Sequence, residues 1–434
     1  MARGFLIAAP ASGAGKTTIT LGLLRALKRR GHAVRSAKSG PDYIDPRFHE
    51  AASGAPCVNL DVWAMGTDRL AALVHGSGAQ GSEELLIIEG AMGLFDGAPH
   101  AADPARDGKG ACADLAKLFD LPVILVVDAS HMAQSIAAVV AGFAAHDPRV
   151  RIAGVILNKV GSLRHEAMLT RALSPLGIPV LGTLPRDATL ATPSRHLGLV
   201  QAGERPDLDA FLDRAADAVE AALDVEAIIA VASAFHSRDT GPRTAPPAQS
   251  IAVAQDAAFA FTYPHLLADW HAQGSEISTF SPLDDQPAPP SDLIYLPGGY
   301  PELHAGTLAA NHRFLQSLRE AAARRSVYGE CGGYMVLGDG LTDRDGVRHR
   351  MAGLLNLETS FATRKLHLGY RNATLNHGPF KGDWTAHEFH YATTLKAEGT
   401  PLLTATDAEG TELGPQGLVQ GAVSGSFLHL IDRA

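Results

Sequence analysis

The sequence predicts two α/β domains joined by a short linker, the first a P-loop domain built on a doubly wound, mostly parallel sheet, and three observations predict it. From residue 4 to about 200, short aliphatic runs alternate with Ala/Leu-rich stretches. Residues 239–250 contain three prolines and no apolar periodicity, which is the composition of a linker. A second alternating pattern begins at Ile251 and ends in a more antiparallel tail. Continuous apolar runs separated by helices signal parallel strands covered on both faces. The expected division is therefore 1–238, 239–250 and 251–434.

Composition narrows the function classes. Hydrophobic residues at 46% and charged residues at 19% describe an ordinary globular protein. The 37 Lys and Arg against 46 Asp and Glu give a net charge of -9, which lacks the basic footprint of non-specific nucleic-acid binding. Cys57, Cys112 and Cys331 are too few and too scattered for a disulfide framework, and no C-x-x-C pair occurs, so a reducing, cytoplasmic setting is expected. The longest apolar runs, 121–127 and 227–235, fall short of the ~20 residues a membrane-spanning helix needs. The apolar stretch 5–11 runs into Ser12-Gly-Ala-Gly-Lys-Thr-Thr, which reads as a folded active-site loop rather than a signal peptide.

Taken in chain order, the first strand over 4–8 leads through Ala9-Pro-Ala-Ser-Gly-Ala-Gly-Lys-Thr-Thr into an apolar helix over 19–27. In such a loop, backbone N–H groups cradle phosphates at a helix N-terminus, the Lys reaches the β/γ-phosphates and the next hydroxyl ligates Mg²⁺. The candidate ATP contacts are Ser12, Gly13, Ala14, Gly15, Lys16, Thr17 and Thr18. The full motif has Gly where this chain has Pro10, and partition-type ATPases carry an extra lysine where it has Ala11.

After the second strand, Ala37-Lys-Ser-Gly-Pro-Asp-Tyr-Ile-Asp-Pro-Arg-Phe-His carries Gly-Pro and Asp-Pro steps that are expected to forbid helix and to expose Asp42, Tyr43 and Asp45 for substrate or metal. The next strand, near 84–88, ends in Glu89, and Asp96 follows in Gly90-Ala-Met-Gly-Leu-Phe-Asp. Carboxylates at the C-terminal end of a parallel strand lie beside the phosphate loop, where Mg²⁺ needs oxygen ligands. Strands over 122–127 and 152–157 complete the first pattern.

In the second pattern, strands are expected at 251–254, 293–296, 326–329, 385–391 and 417–424, with an exposed Pro-rich loop at 286–290. Gly329-Glu-Cys-Gly-Gly places Cys331 at a tight strand-to-helix turn, where the helix N-terminus is expected to favour thiolate. The strand before it ends in Gly298-Gly299, whose backbone N–H groups are the candidate oxyanion hole. A histidine completes acyl-transfer chemistry, and His429 is the candidate base. His387-Glu-Phe-His-Tyr matches a zinc motif only loosely, because its histidines are three apart. Cys57 and Cys112 read as buried and inert.

These segments together resemble the cobyrinic or hydrogenobyrinic acid a,c-diamide synthase family, in which a dethiobiotin-synthetase-like ATPase domain is fused to a class I glutamine amidotransferase-like domain. The likeness covers nearly the whole chain and rests on the phosphate loop, Lys38-Ser-Gly-Pro-Asp-Tyr-Ile-Asp-Pro, Ile88-Glu-Gly-Ala-Met-Gly-Leu-Phe-Asp-Gly, Ile251-Ala-Val-Ala-Gln-Asp, Leu296-Pro-Gly-Gly-Tyr-Pro-Glu, Gly329-Glu-Cys-Gly-Gly-Tyr and His387-Glu-Phe-His-Tyr, in that order. The resemblance implies that ATP phosphorylates the a and c acetate carboxylates of a corrin-type macrocycle and that ammonia released from glutamine displaces the phosphate. It implies Mg²⁺ on Thr17, Glu89 and Asp45, with Lys38, Asp42, Tyr43, Asp45 and Asp96 serving substrate or phosphoryl transfer. It implies Cys331 as nucleophile, His429 as proton carrier and Gly298 and Gly299 at the oxyanion. It also suggests a homodimer acting on a small molecule, with neither nucleic acid nor membrane as partner.

Where typical triad amidotransferases have Glu two residues after the histidine, this chain has Ile431, which leaves a Cys-His dyad unless Asp432 or another carboxylate substitutes. Residues 344–350 and 364–371 are candidate contacts for macrocycle carboxylates. Nickel-sirohydrochlorin a,c-diamide synthases share the architecture. A regulatory partition-type ATPase is the alternative from another class, and both Ala11 and the thiol site oppose it.

Overall fold

The structure, a computed structural model, describes residues 2–75, 84–100, 108–190, 194–195, 198–235 and 241–434; residues 236–240, which include the start of the expected linker, lie outside them. The chain divides into two compact units, Met1–Pro242 and Arg243–Ala434.

In the first unit, seven strands pair in parallel in the order Cys57–Leu60, Val34–Ser39, Leu85–Glu89, Arg3–Ala8, Val123–Asp128, Ile152–Val160, Val180–Pro185, and the short Ser233–Ala234 runs antiparallel to Arg3–Ala8. Ile7, Ile87, Ile88, Val123 and Leu125 are fully buried, as strands covered on both faces require. The register aligns Glu89 with Ile7 on one side and with Lys38 on the other. Lys38, Glu89 and the loop after Ala8 therefore share the C-terminal edge of the sheet, where open α/β sheets bind ligands.

The first helix, Lys16–Arg29, begins three residues earlier than the apolar pattern indicates, because Lys16 and Thr17 already lie in its first turn. Its inner face buries Ile19, Leu23, Leu24 and Leu27. Its basic outer face meets the acidic helix Leu208–Ala222 through Arg25–Asp213 at 2.7 Å and Arg29–Asp217 at 2.7 Å. These pairs are partly exposed, so packing rather than charge carries most of the contact.

In the second unit, a six-stranded sheet runs in the order Glu276–Phe280, Ser250–Ala254, Leu293–Leu296, Ser326–Glu330, Val423–Ser426, Leu418–Gln420, parallel except for the last pair. The single strand expected over 417–424 is thus a hairpin, since Gly421 takes a positive φ of 60° between its arms. An antiparallel sheet of five strands, Glu412–Gln416, Leu403–Asp407, His367–Leu375, Gly382–His390 and Leu428–Arg433, forms the tail. Phe427 is the handover point between the two sheets: Ser426 pairs with Glu330 in the first, and Leu428 pairs with Glu388 in the second. No helix among the described residues is long and apolar enough to cross a membrane.

Candidate functional site

Two constellations emerge, one in each unit. In the first, Gly15 caps the helix Lys16–Arg29 with φ 94°, a left-handed conformation that suits Gly, and a Cβ there would collide with the Asn158 amide. No acidic residue occupies the first turn, so the positive end of the helix stays available to an anion. Lys16 Nζ donates to the Met92 carbonyl at 2.5 Å, and burial lowers its pKa from the ordinary lysine value. Thr17 Oγ1 donates to Glu89 Oε1 at 2.6 Å.

Glu89 is fully buried and is the hub of this network. Lys38 Nζ bridges Asp45 Oδ2 at 2.5 Å and Glu89 Oε1 at 2.8 Å, and His49 Nε2 lies 2.7 Å from Glu89 Oε2. Burial alone would raise the Glu89 pKa, but Lys38 and His49 outweigh it and hold the group below the ordinary carboxylate range. Burial and the neighbouring Asp42 push Asp45 up to about 6. Burial pulls His49 down, yet Cys57 and Glu89 overcome it and raise the imidazole to about 10.

Two expectations for this edge are corrected. Asp45 does not sit in an exposed turn; it opens the helix Asp45–Ser53 with Pro46 in the first turn, where a missing N–H costs nothing. Tyr43 and Asp45 are buried rather than exposed, because Lys38 draws the carboxylate inward. Asp42 Oδ1 accepts the Ile44 and Asp45 N–H groups, and Asp96 Oδ2 accepts Gly93 N–H at 2.8 Å, so both shape turns that border the site.

Sequence reasoning missed several residues here. His49 closes the segment read after the second strand, yet nothing beside it in sequence singles it out as a partner of Glu89. Asn158 and Lys159 brace the phosphate loop through the Ala14 and Gly13 carbonyls at 2.8 and 3.0 Å, and Lys159 also pairs with Asp128 at 2.6 Å. The signal was available: polar residues ending an apolar strand at the ligand-binding edge.

In the second unit, Cys331 turns sharply with φ 46° and ψ -104° after the strand Ser326–Glu330, and the six-residue helix Gly332–Leu337 follows. This is a strained residue at a tight elbow, a geometry that tertiary contacts must enforce. Its N–H donates to Ser426 O at 2.8 Å, three residues before His429. A Cβ on Gly332 would lie 3.0 Å from the Gly299 nitrogen, so the Gly299 amide borders the elbow. A Cβ on Gly298 would lie 3.0 Å from His429 Nε2. The strand end at Gly298-Gly299 and the imidazole therefore flank the thiol turn.

The expected thiolate is overturned. Cys331 is 3% exposed, and burial together with the nearby Glu302 pushes its thiol well above the ordinary value, outweighing the Gly332 N–H. Burial and the neighbouring His387 depress His429 to about 3, so it is neutral and able to accept a proton. Burial raises Glu330 to about 8.

His367, Glu388 and His390 present three donor atoms within 4.8 Å of one another. The two imidazoles are stacked with an interplanar angle of 8°, so their in-plane lone pairs run side by side rather than converging on one ion. Glu388 is also held by Arg371 at 2.8 and 2.9 Å. The cluster is an ionic and aromatic brace. Of the basic stretches, Arg348 pairs with Glu358 and Arg371 with Glu388, so those charges are neutralised within the unit, and His349 Nε2 lies 2.8 Å from Asp343.

Comparison with known proteins follows the same division. Residues 5–200 match the CobQ/CobB/MinD/ParA nucleotide binding domain, and residues 250–433 match the CobB/CobQ-like glutamine amidotransferase domain. The chain is 56% identical to the hydrogenobyrinate a,c-diamide synthase of Brucella anthropi over 437 residues, covering 99% of this chain and 98% of that protein. The enzymes of the same name from Brucella abortus and Rhizobium meliloti are 55% and 53% identical, each over 99% of this chain and over 98% and 99% of their own lengths.

Proposed function

The chain belongs to the hydrogenobyrinate a,c-diamide synthase family, and from that premise we propose that it uses ATP and glutamine to convert the a and c acetate carboxylates of hydrogenobyrinic acid into amides. The observation that carries the reading is the full-length likeness to enzymes of one name, with a phosphate loop in the first unit and a buried thiol elbow in the second. On this reading the first unit activates the substrate and the second releases ammonia.

A carboxylate is a poor acyl donor until phosphorylated. The loop Ser12, Gly13, Ala14, Gly15, Lys16, Thr17 and Thr18 holds the ATP phosphates, and Lys16 exchanges its Met92 partner for phosphate oxygens. Lys38, paired with Asp45, positions the substrate carboxylate for attack on the terminal phosphate, and Asp42, Tyr43 and Asp96 serve the same step. The donor set of Thr17, Glu89 and Asp45 is all oxygen, which fits a hard cation, and Mg²⁺ held there would neutralise charge on the phosphates.

In the second unit, Cys331 Sγ attacks the glutamine carboxamide while its proton passes to His429, and the Gly298 and Gly299 strand end supplies N–H donors for the oxyanion. Burial holds the thiol up and the imidazole down, so the thiol proton has to be taken up by His429 for the attack to proceed. His429 then gives the proton to departing ammonia, and water releases glutamate. The enzyme works on a tetrapyrrole acid, as a homodimer, in the cytoplasm; three free cysteines support a reducing setting, and a net charge of -9 speaks against nucleic acid as a partner.

The test is mass spectrometry of hydrogenobyrinic acid and of cobyrinic acid, incubated separately with the protein, glutamine, ATP and Mg²⁺. Two amides gained on hydrogenobyrinic acid is the expected result. ATP hydrolysis without amidation of either macrocycle overturns the reading.

A further inference from the structure

The family pattern leaves the third member of the thiol site open, because Ile431 replaces the usual carboxylate. Asp432 is the nearest alternative in sequence, but its Oδ1 accepts Thr244 Oγ1 at 2.8 Å and the Arg433 N–H at 3.0 Å. The ladder also slips at this point: Leu430 pairs with Ala386 and Asp432 with Thr385, which leaves Ile431 as the extra residue. The strand bearing His429 is therefore irregular where a triad carboxylate would stand.

Another carboxylate reaches the imidazole from the opposite sheet. Glu330 is 3% exposed and immediately precedes Cys331. Its Oε1 accepts the Leu430 N–H at 3.4 Å, its Oε2 accepts Tyr295 Oη–H at 2.8 Å, and that same Oε2 stands 3.9 Å from His429 Nδ1. A buried carboxylate is costly, and here it is tethered to the residue after the histidine and lies near Nδ1 of the imidazole. We infer that Glu330 is the positioning residue of the thiol site, orienting His429 through Nδ1–H so that Nε2 takes the Cys331 proton. The contact closes from 3.9 Å to hydrogen-bond length when glutamine binds, as catalytic contacts in unliganded sites commonly do. No bond to Glu330 forms or breaks in the cycle; the thiol proton moves to Nε2 as the Sγ–C bond forms, and moves on to ammonia as the C–N bond breaks.

The titratable groups facing Glu330 are Tyr295 from the adjacent strand, Tyr328 on its own strand, Cys331 next in the chain and His429. Both tyrosines and the thiol are held above their ordinary values, and His429 is held at about 3. Glu330, at about 8, is then the group of this cluster that changes charge near neutrality. Its ionised form is the better acceptor for Nδ1–H, so glutamine-dependent turnover rises with pH through that value.

The inference rests on Cys331 and His429 being the glutaminase pair, and the test separates the two ideas. Glutamate release and ammonia-dependent amidation are measured on the full-length protein with ATP, Mg²⁺ and hydrogenobyrinic acid. Glu330→Gln has one amide oxygen for the Leu430, Tyr295 and His429 donors together. Glutamine kcat should fall about 100-fold, KM should stay within threefold, and the rise near pH 8 should vanish. Glu330→Asp, one methylene shorter, should lose about tenfold and keep the rise; it also carries the test if the Gln variant does not fold. In a His429→Asn background, Glu330→Gln should cost less than threefold, because groups acting as one unit are non-additive. Full glutamine turnover in Glu330→Gln, an Asp variant lacking the rise, or a further tenfold loss on top of His429→Asn overturns the inference. Glutamine use that survives Cys331→Ala instead overturns the thiol assignment itself.

Discussion

Gly298→Ala is a small perturbation with a large expected effect. A Cβ at this position would stand 3.0 Å from His429 Nε2 and 3.2 Å from Nδ1, with Cε1 closer still. Carbon and nitrogen settle at about 3.5 Å or more, so the imidazole must retreat by roughly an ångström. His429 is 1% exposed and packs near Phe261 at 6.3 Å between ring centroids, so it has little free space to enter. A misplacement of that size costs about 100-fold in a step that depends on a near-attack geometry. The Ala variant keeps the backbone N–H of residue 298, which confines the change to the base. The assay is glutamate release at saturating glutamine beside amidation driven by ammonium chloride. Glutamine-dependent kcat should fall about 100-fold while the ammonia-driven rate, which bypasses the thiol, stays within twofold. Glutamine turnover within threefold of the parent would refute the claim that His429 works from the position seen here.

Two further outcomes follow from buried charge. Lys38→Met leaves Asp45 and the fully buried Glu89 without their shared cation, so urea unfolding should report a loss of about 3–5 kcal/mol, and ATP-dependent amidation should disappear with glutamine and ammonia alike; a stable, active variant rules out the bridge. For pH, Glu330 has a folded value of about 8 against 4.5 for the free group. The folded state therefore holds this proton longer than the unfolded one, and the stability it contributes is complete below pH 4.5 and is lost as pH rises through 8. Melting temperatures of the parent and Glu330→Gln should diverge over that window in favour of the Gln variant, and parallel curves would contradict the raised value.

The fold was legible wherever the chemistry was local. Apolar runs marked the strands around Ile7, Ile88 and Val126, and the Gly-Lys-Thr turn marked the phosphate loop, because backbone conformation and donor supply there depend on adjacent residues. What failed depended on register. Asp45 looked like an exposed turn residue until Lys38 and Glu89 proved to be paired across neighbouring strands. The Cys331 thiol was expected to be acidic from its helix, yet that helix has six residues, and burial together with Glu302 outweighs it. Glu330 gave no signal at all, since the N–H it accepts lies 100 residues away and nothing near it in sequence announces the meeting.

The buried thiol elbow has a consequence for the life of the protein between turnovers. Peroxides and alkylating agents attack thiolate, and the resting site holds Cys331 as a thiol beside an uncharged imidazole. An idle copy is therefore chemically quiet. It should outlast the oxidative chemistry that ages exposed, acidic cysteines, and should waste little glutamine while no macrocycle awaits ammonia. The closed pocket that holds the nucleophile as a thiol also makes it durable.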